Sequence, residues 1–270
     1  MPGPTAEMVV IALFAGLLGA CVGSFLNVVI YRLPAGKSLV SPPSHCPVCG
    51  HAIRWYDNVP VLGWLLLRGR CRDCGTSISP RYAIVEAITG ILAAALAVQG
   101  GPTLDTLAAF WFGASLIALT YIDLDHRLLP DRITLTGIAV GVAFAAFATA
   151  TRGGGALGRS LAGVLLGGGI LWFVAWAYHA VTGREGMGGG DIKLLAMIGA
   201  FLGWKGVLLT LLLASFVGSA VGTLLMIRDR SDSKLAIPFG PFLAIGALIT
   251  LFWGDRIVDW YMLASGLAGD

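Results

Sequence analysis

The sequence predicts an all-α polytopic membrane protein of about eight transmembrane helices, with a small cytoplasmic zinc-binding insert. Three observations carry this prediction. Hydrophobic residues make up 57% of the 270 residues, charged residues only 12%, and the mean hydropathy is +0.83. A soluble domain of this size cannot hide so much apolar surface, and a bilayer is the solvent that suits it. Apolar runs of spanning length recur along most of the chain, and one stretch, 32–80, breaks the pattern with prolines, glycines, four paired cysteines and a cluster of arginines.

The candidate spans fall at 8–31, 81–99, 105–123, 132–150, 157–181, 191–202, 206–227 and 236–254. The first has no basic residue ahead of it and is preceded by Glu7, so it reads as a retained membrane helix and not as a cleaved signal. The sixth is short, about 17 Å at 1.5 Å per residue, and cannot cross the hydrocarbon core by itself. It follows Gly188, Gly189 and Gly190, which suits a short or re-entrant helix lining a protein-walled cavity. A single bent span over 191–227, giving seven helices, is the alternative count. The organisation expected is a first transmembrane helix at 1–31, the insert at 32–80, and a membrane core at 81–270.

Orientation follows from the lysines and arginines. With the N-terminus outside, fourteen of the 18 fall in inside loops, and only Arg152, Arg159, Lys205 and Arg256 fall outside. That asymmetry puts the insert, and the loops beside Asp123 and Asp191, in the cytoplasm. The net charge of +3 is too small to suggest a nucleic-acid partner.

The insert reads Cys46-Pro-Val-Cys49-Gly and then Cys71-Arg-Asp-Cys74-Gly. Two C-x2-C knuckles about twenty residues apart fit a tetrahedral Zn²⁺ site of the ribbon type. A cytoplasmic location argues against disulfides; a redox-active or vestigial set is the competing reading. His45 and His51 flank the first knuckle, but four thiolates already satisfy the metal. Zinc would supply folding energy that so small a polar insert lacks. Cys21, within an apolar run, reads as a small core residue.

Ionisable groups in a membrane segment are costly and point to function. The segment from Tyr121 to Asp131 ends the third span with Asp123, Asp125 and Asp131, and Pro130 suits the start of the next helix. The second acidic site is Gly188-Gly189-Gly190-Asp191-Ile192-Lys193, where glycines permit close backbone approach and a helix start favours a negative charge. Two carboxylates on one face can share a proton, one acting as base on a water while the other polarises a peptide carbonyl. Asp123 and Asp191 are the pair chosen. Asp125 and Asp131 read equally well as juxtamembrane charges pairing with Arg127, Arg132 or Lys193. No serine-triad order or HExxH pattern is present.

Taken together, these residues resemble the bacterial type IV prepilin peptidases, bifunctional leader peptidases and N-methyltransferases of the GxGD aspartyl protease class. The resemblance runs through Gly23 to Pro34, both cysteine knuckles, Ile53 to Pro60, Ile78 to Tyr82 with Glu86, Ile122 to Asp131, and Gly188 to Lys193. It implies catalytic roles for Asp123 and Asp191. It also implies cleavage of a short basic leader from type IV prepilins or type II secretion pseudopilins, at the cytoplasmic face of the bacterial inner membrane. Methylation of the new N-terminus by S-adenosylmethionine is implied as well. The methyl-transfer function is attached to the insert by resemblance only, since no strand–GxGxxG–helix signature is present.

Two other classes compete. A transporter or channel would use the aspartates as a proton or cation relay, but such proteins show repeated halves with paired broken helices, and here one segment is glycine-broken. A zinc-ribbon membrane scaffold without chemistry would tolerate aspartate substitution silently.

Overall fold

The computed structural model of the chain describes residues 5–184, 187–229 and 238–265. Among these the protein is helical: α1 Ala6–Arg32, α2 Leu62–Leu66, α3 Arg81–Gly100, α4 Leu104–His126, α5 Asp131–Arg152, α6 Ala156–Thr182, α7 Gly189–Asp229 and α8 Gly240–Ala264. All but the short α2 are long and apolar enough to cross a membrane, which makes seven such helices among the described residues. Large apolar side chains such as Leu13, Phe14, Leu212 and Phe216 stay exposed, as a lipid-facing surface requires. The chain divides into two compact units, 1–118 and 119–270, with the boundary inside α4.

In the first unit α1 and α3 form an antiparallel pair. Gly16 lies against Ala94, Gly19 against Ala93, and Gly23 against Glu86. Small residues at these crossings let the two backbones approach. Asn27 extends the pairing by donating to the Tyr82 carbonyl at 3.1 Å. The polar segment between the two helices is tied back to them at both ends. The Arg32 guanidinium donates to the carbonyls of Ser38 at 3.1 Å and Pro42 at 2.7 Å. Glu86 is buried in α3 and accepts the Val61 amide at 2.7 Å, just ahead of α2. A buried carboxylate without donors would be costly, so Glu86 fixes the insert to the helix pair.

In the second unit, α7 contains the feature that organises the rest. Its 41 residues are interrupted at Gly203, where φ is 67° and ψ is −178°. Side-chain registers show that the chain reverses there. The first half runs antiparallel to α6, with Gly199 against Gly163, Leu195 against Gly167, and the Ser160 hydroxyl donating to the Ala200 carbonyl at 2.8 Å. The same half runs parallel to α5, with Met197 against Gly137 and Ala200 against Gly141. The second half runs antiparallel to α8: Gly218 meets Phe242, Ala214 meets Gly246, and Thr210 meets Thr250. Since α5 and α8 both lead away from the end where Asp123 lies, the two halves of α7 travel in opposite directions.

The segments expected at 191–202 and 206–227 are thus two helices that meet at Gly203, a short inner arm and a longer return. The inner arm is the most enclosed part of the unit, with Leu194, Leu195, Met197 and Ile198 fully buried. The expected span at 236–254 begins at 236–237, outside the described residues, and α8 continues to Ala264 because Asp255, Arg256 and Asp259 lower the hydropathy without breaking the helix.

A φ of 67° with extended ψ is a backbone region essentially reserved for glycine. Gly203→Ala should therefore destabilise the protein by roughly 1–3 kcal/mol. The lowered midpoint should be visible in thermal denaturation of the detergent-solubilised protein.

Candidate active site and cysteine centre

Asp123 sits one turn before the end of α4 and is only 5% exposed. The helix stops there because Arg127 adopts a left-handed backbone with φ of 52°, while its amide still closes on the Asp123 carbonyl at 2.9 Å. The chain then turns through Leu128 and Leu129 to Pro130, which leads into α5. Asp125 is exposed. Two residues along a helix rotate a side chain by roughly 200°, so Asp123 faces inward and Asp125 outward, as the sequence spacing implies.

Asp191 enters from the opposite direction, in the first turn of α7, with its amide on the Gly188 carbonyl at 3.2 Å. Asp191 is half-buried, and Asp123 is the charged group that acts on it electrostatically. The two carboxylates chosen from the sequence thus come within electrostatic reach of one another. Of the three glycines before Asp191, the last is the one with a packing reason. A Cβ on Gly190 would lie 2.9 Å from the Leu129 Cβ, whereas Gly188 and Gly189 have no neighbour within 4 Å of that position. Gly190 thus lets the start of α7 close onto the turn that follows Asp123.

Leu129 is buried and also reaches the start of α8, where its Cδ1 lies 3.5 Å from the position a Gly240 Cβ would take. At the rim, Lys193 donates to Asp131 at 2.6 Å and joins the first turns of α7 and α5. That pairing is one of those expected for a juxtamembrane Asp131.

Sequence reasoning missed Gly240. Its backbone amide lies within interaction range of the Asp123 carboxylate, and a Cβ there would stand 2.5 Å from Asp123 Oδ2. The available signal was Pro238-Phe239-Gly240-Pro241 at the opening of an apolar run, since a helix start leaves its first amides free for a ligand or side chain.

The insert builds the same turn twice. The Cys46 amide bonds to the His51 carbonyl at 2.9 Å and the Gly50 amide returns to the Cys46 carbonyl at 2.9 Å. In the second knuckle Cys71 bonds to Thr76 at 2.8 Å and Gly75 to Cys71 at 2.9 Å. A single antiparallel bridge closes each turn, His45 with Ala52 and Arg70 with Ser77. The four Sγ atoms all lie within 4.8 Å of one another, with Cys46 to Cys74 at 3.8 Å and Cys49 to Cys71 at 4.0 Å. A tetrahedral thiolate site with metal–sulfur bonds of about 2.3 Å has sulfurs about 3.8 Å apart, so the four cysteines fit a thiophilic metal ion.

The protein already favours one thiolate. The backbone amides of Cys49 and then Val48 hold Cys46 down to about 6. The Thr76 amide favours the Cys74 thiolate in the same way, yet burial and the three neighbouring sulfurs push Cys74 up to about 12. Four sulfurs this close would repel one another as thiolates, and a cation between them would relieve that repulsion. Outside the cluster, Arg72 grips Asp57 through several hydrogen bonds of 2.5 to 3.0 Å, and these hold Asp57 below the usual carboxylate range. Arg54 pairs with Asp73 at 3.0 Å. Both ion pairs join the second knuckle to the Arg54–Asp57 turn.

The fold and the site together define a polytopic membrane protein in which the ends of separate helices enclose a carboxylate pair. The comparisons agree with that class. Residues 17–100 match the bacterial peptidase A24 N-terminal domain, and residues 110–223 match the type IV leader peptidase family. A prepilin leader peptidase/N-methyltransferase of Aeromonas hydrophila is 43% identical, over 91% of this chain and 92% of its own length. Proteins of the same name from Stutzerimonas stutzeri and Pseudomonas aeruginosa are 41% and 40% identical, over 93% of both chains in each case. No solved structure matches the chain. The chain belongs to the type IV leader peptidase family.

The packing predicts unequal roles for two neighbours of the pair. Leu129→Ala should cost about 2–5 kcal/mol, because the side chain is buried between the starts of α7 and α8. Asp131→Asn should cost no more than about 1 kcal/mol, because its ion pair with Lys193 is solvent-exposed. Thermal denaturation of both variants in one detergent would rank them.

Proposed function

We propose that the protein cleaves the leader peptide of type IV prepilins or type II secretion pseudopilins on the cytoplasmic side of the membrane and N-methylates the new N-terminal residue. The observation that carries the cleavage half is the withdrawal of Asp123 from solvent beside Asp191, each supplied by a helix end. Family membership and the shared name of the relatives supply the substrate class. The orientation rests on the fourteen-to-four distribution of basic residues, with the N-terminus outside the bacterial inner membrane.

In the proposed mechanism the two carboxylates hold one proton between them. The ionised member takes a proton from a water, whose oxygen attacks the scissile carbonyl carbon, while the protonated member donates to the carbonyl oxygen. Collapse of the tetrahedral intermediate breaks the C–N bond, and the departing amine leaves with a proton from the pair. The site needs no side-chain nucleophile. Two carboxylates at helix ends near the membrane surface suit a substrate whose cut site lies just ahead of an apolar helix.

Cys46, Cys49, Cys71 and Cys74 are proposed to hold a structural Zn²⁺, which would lock the two knuckles together. The insert, 32–80, is assigned to the methyl-transfer half and the core, 81–270, to cleavage. The methyl donor proposed is S-adenosylmethionine, in keeping with the relatives' name; it supplies the methyl group, and the described residues contain no strand–glycine-loop–helix cradle for it.

Asn matches Asp in shape but cannot exchange the proton. Asp123→Asn and Asp191→Asn should each lower cleavage by on the order of a thousandfold or more, and the double variant should be no worse than either, because the pair acts as a unit. Asp125→Asn, on the exposed face, should stay within a few-fold of wild type. An inactive Asp125→Asn beside an active Asp123→Asn, in a leader-processing assay, would show that the first aspartate is misassigned.

Purified protein should carry about one zinc per chain. Cys71→Ser/Cys74→Ser should release it and loosen the insert while the far-ultraviolet helical signal is retained, since binding energy is folding energy in such modules. Unchanged zinc in elemental analysis of that variant would refute the site.

A further inference from the structure

The first turn of α8 has few free amides. Pro241 has none, and the amides of Phe242 and Leu243 both return to the Phe239 carbonyl, at 3.0 and 3.2 Å. The Gly240 amide remains, and it lies within interaction range of the Asp123 carboxylate. It does so at a buried helix N-terminus, where aligned peptide dipoles favour a negative group. The backbone of Gly240 lies outside the left-handed region, so conformation does not demand glycine here. Space does: a Cβ would stand 2.5 Å from Asp123 Oδ2 and 3.2 Å from its Cγ, while the next atom, Leu129 Cδ1, lies at an ordinary 3.5 Å.

We propose that Gly240 is a positioning residue for the cleavage reaction, whose amide and missing side chain together seat the Asp123 carboxylate against the start of α8. With one oxygen engaged by the amide, the other is left to face Asp191 and the substrate. The carboxylate is then held by backbone, which cannot rotate away as a side-chain donor could. The inference rests on the reading of Asp123 as a catalytic carboxylate and adds a third chain segment to that site.

The test compares Gly240→Ala with Gly246→Ala in the full-length protein. Gly246 lies in the same helix, nearly two turns beyond Gly240, and a Cβ there would press on the Thr210 carbonyl at 2.7 Å with neither aspartate among its nearest atoms. Gly240→Ala should lower kcat for prepilin cleavage about a hundredfold, as displacement of a catalytic group does, while KM stays within about threefold. Gly246→Ala should lower the denaturation midpoint at least as much and retain the kcat of the folded fraction. Wild-type kcat in Gly240→Ala would overturn the proposal, and so would recovery of kcat in Gly240→Ala/Leu129→Ala, which would trace the defect to crowding of Leu129.

A second measurement serves if Gly240→Ala does not fold. Truncating Asp123 opens the space the new methyl needs, so Asp123→Ala/Gly240→Ala should melt with Asp123→Ala. An equal loss from Gly240→Ala in both backgrounds would show that glycine serves only helix entry and would refute the seating role. If Asp123→Asn itself cleaves normally, the aspartyl reading fails along with the inference. An inactive Asp123→Asn beside a fully active Gly240→Ala removes only the inference.

Discussion

A carboxylate enclosed at the end of a membrane helix has to be given a partner, because an unpaired buried ionisable group costs several kcal/mol. For Asp123 the start of α8 offers one: the Gly240 amide, which no backbone carbonyl takes up, lies within interaction range of the carboxylate. This close approach joins residues more than a hundred positions apart in the chain and sets where α8 begins relative to the end of α4. The opposite wall is closed by Leu129 against Gly190, which brings the first turn of α7 and its carboxylate to the same place.

The reversal at Gly203 makes this geometry possible. A straight 41-residue helix would be about 60 Å long and would deliver the chain far from Asp123 before α8 could start. Doubling back returns the chain to the Asp123 end, so Asp191 and Gly240 open their helices side by side. The inner arm holds its place through close contact, with Gly163 and Gly199 putting the backbones of α6 and α7 in direct apposition, and through the Ser160 hydrogen bond to the Ala200 carbonyl. In a bilayer, where apolar burial gives little drive between helices, such close packing is the main source of rigidity. Rigidity there would let the two carboxylates share one proton in the proposed mechanism.

Much of this was legible in the sequence, for reasons that differ by element. The long helices follow hydropathy closely: 81–99 became Arg81–Gly100 and 157–181 became Ala156–Thr182. The cysteine cluster was readable because spacing alone dictates the two knuckles. The inward turn of Asp123 and the outward turn of Asp125 follow from helical periodicity. The pairing of Asp131 with Lys193 was one of several partners the sequence allowed, and only tertiary packing selects it. Gly203 and Gly240 were not singled out, because a chain containing 38 glycines gives no local mark of which one turns the backbone and which one makes room for a carboxylate. Those roles depend on what lies opposite, and that is a property of the fold.

The central claim is that Asp123 and Asp191 form one cleaving unit, distinct from the methyl-transfer function proposed for the insert. Intact-mass spectrometry of a prepilin co-expressed with each form of the enzyme reads both reactions together. With the wild type, the prepilin should lose its leader and gain one methyl group. With Asp191→Asn it should keep its full leader, and a pilin supplied with the leader already removed should still gain the methyl group. Leader loss at the wild-type level with both Asp123→Asn and Asp191→Asn would contradict the account.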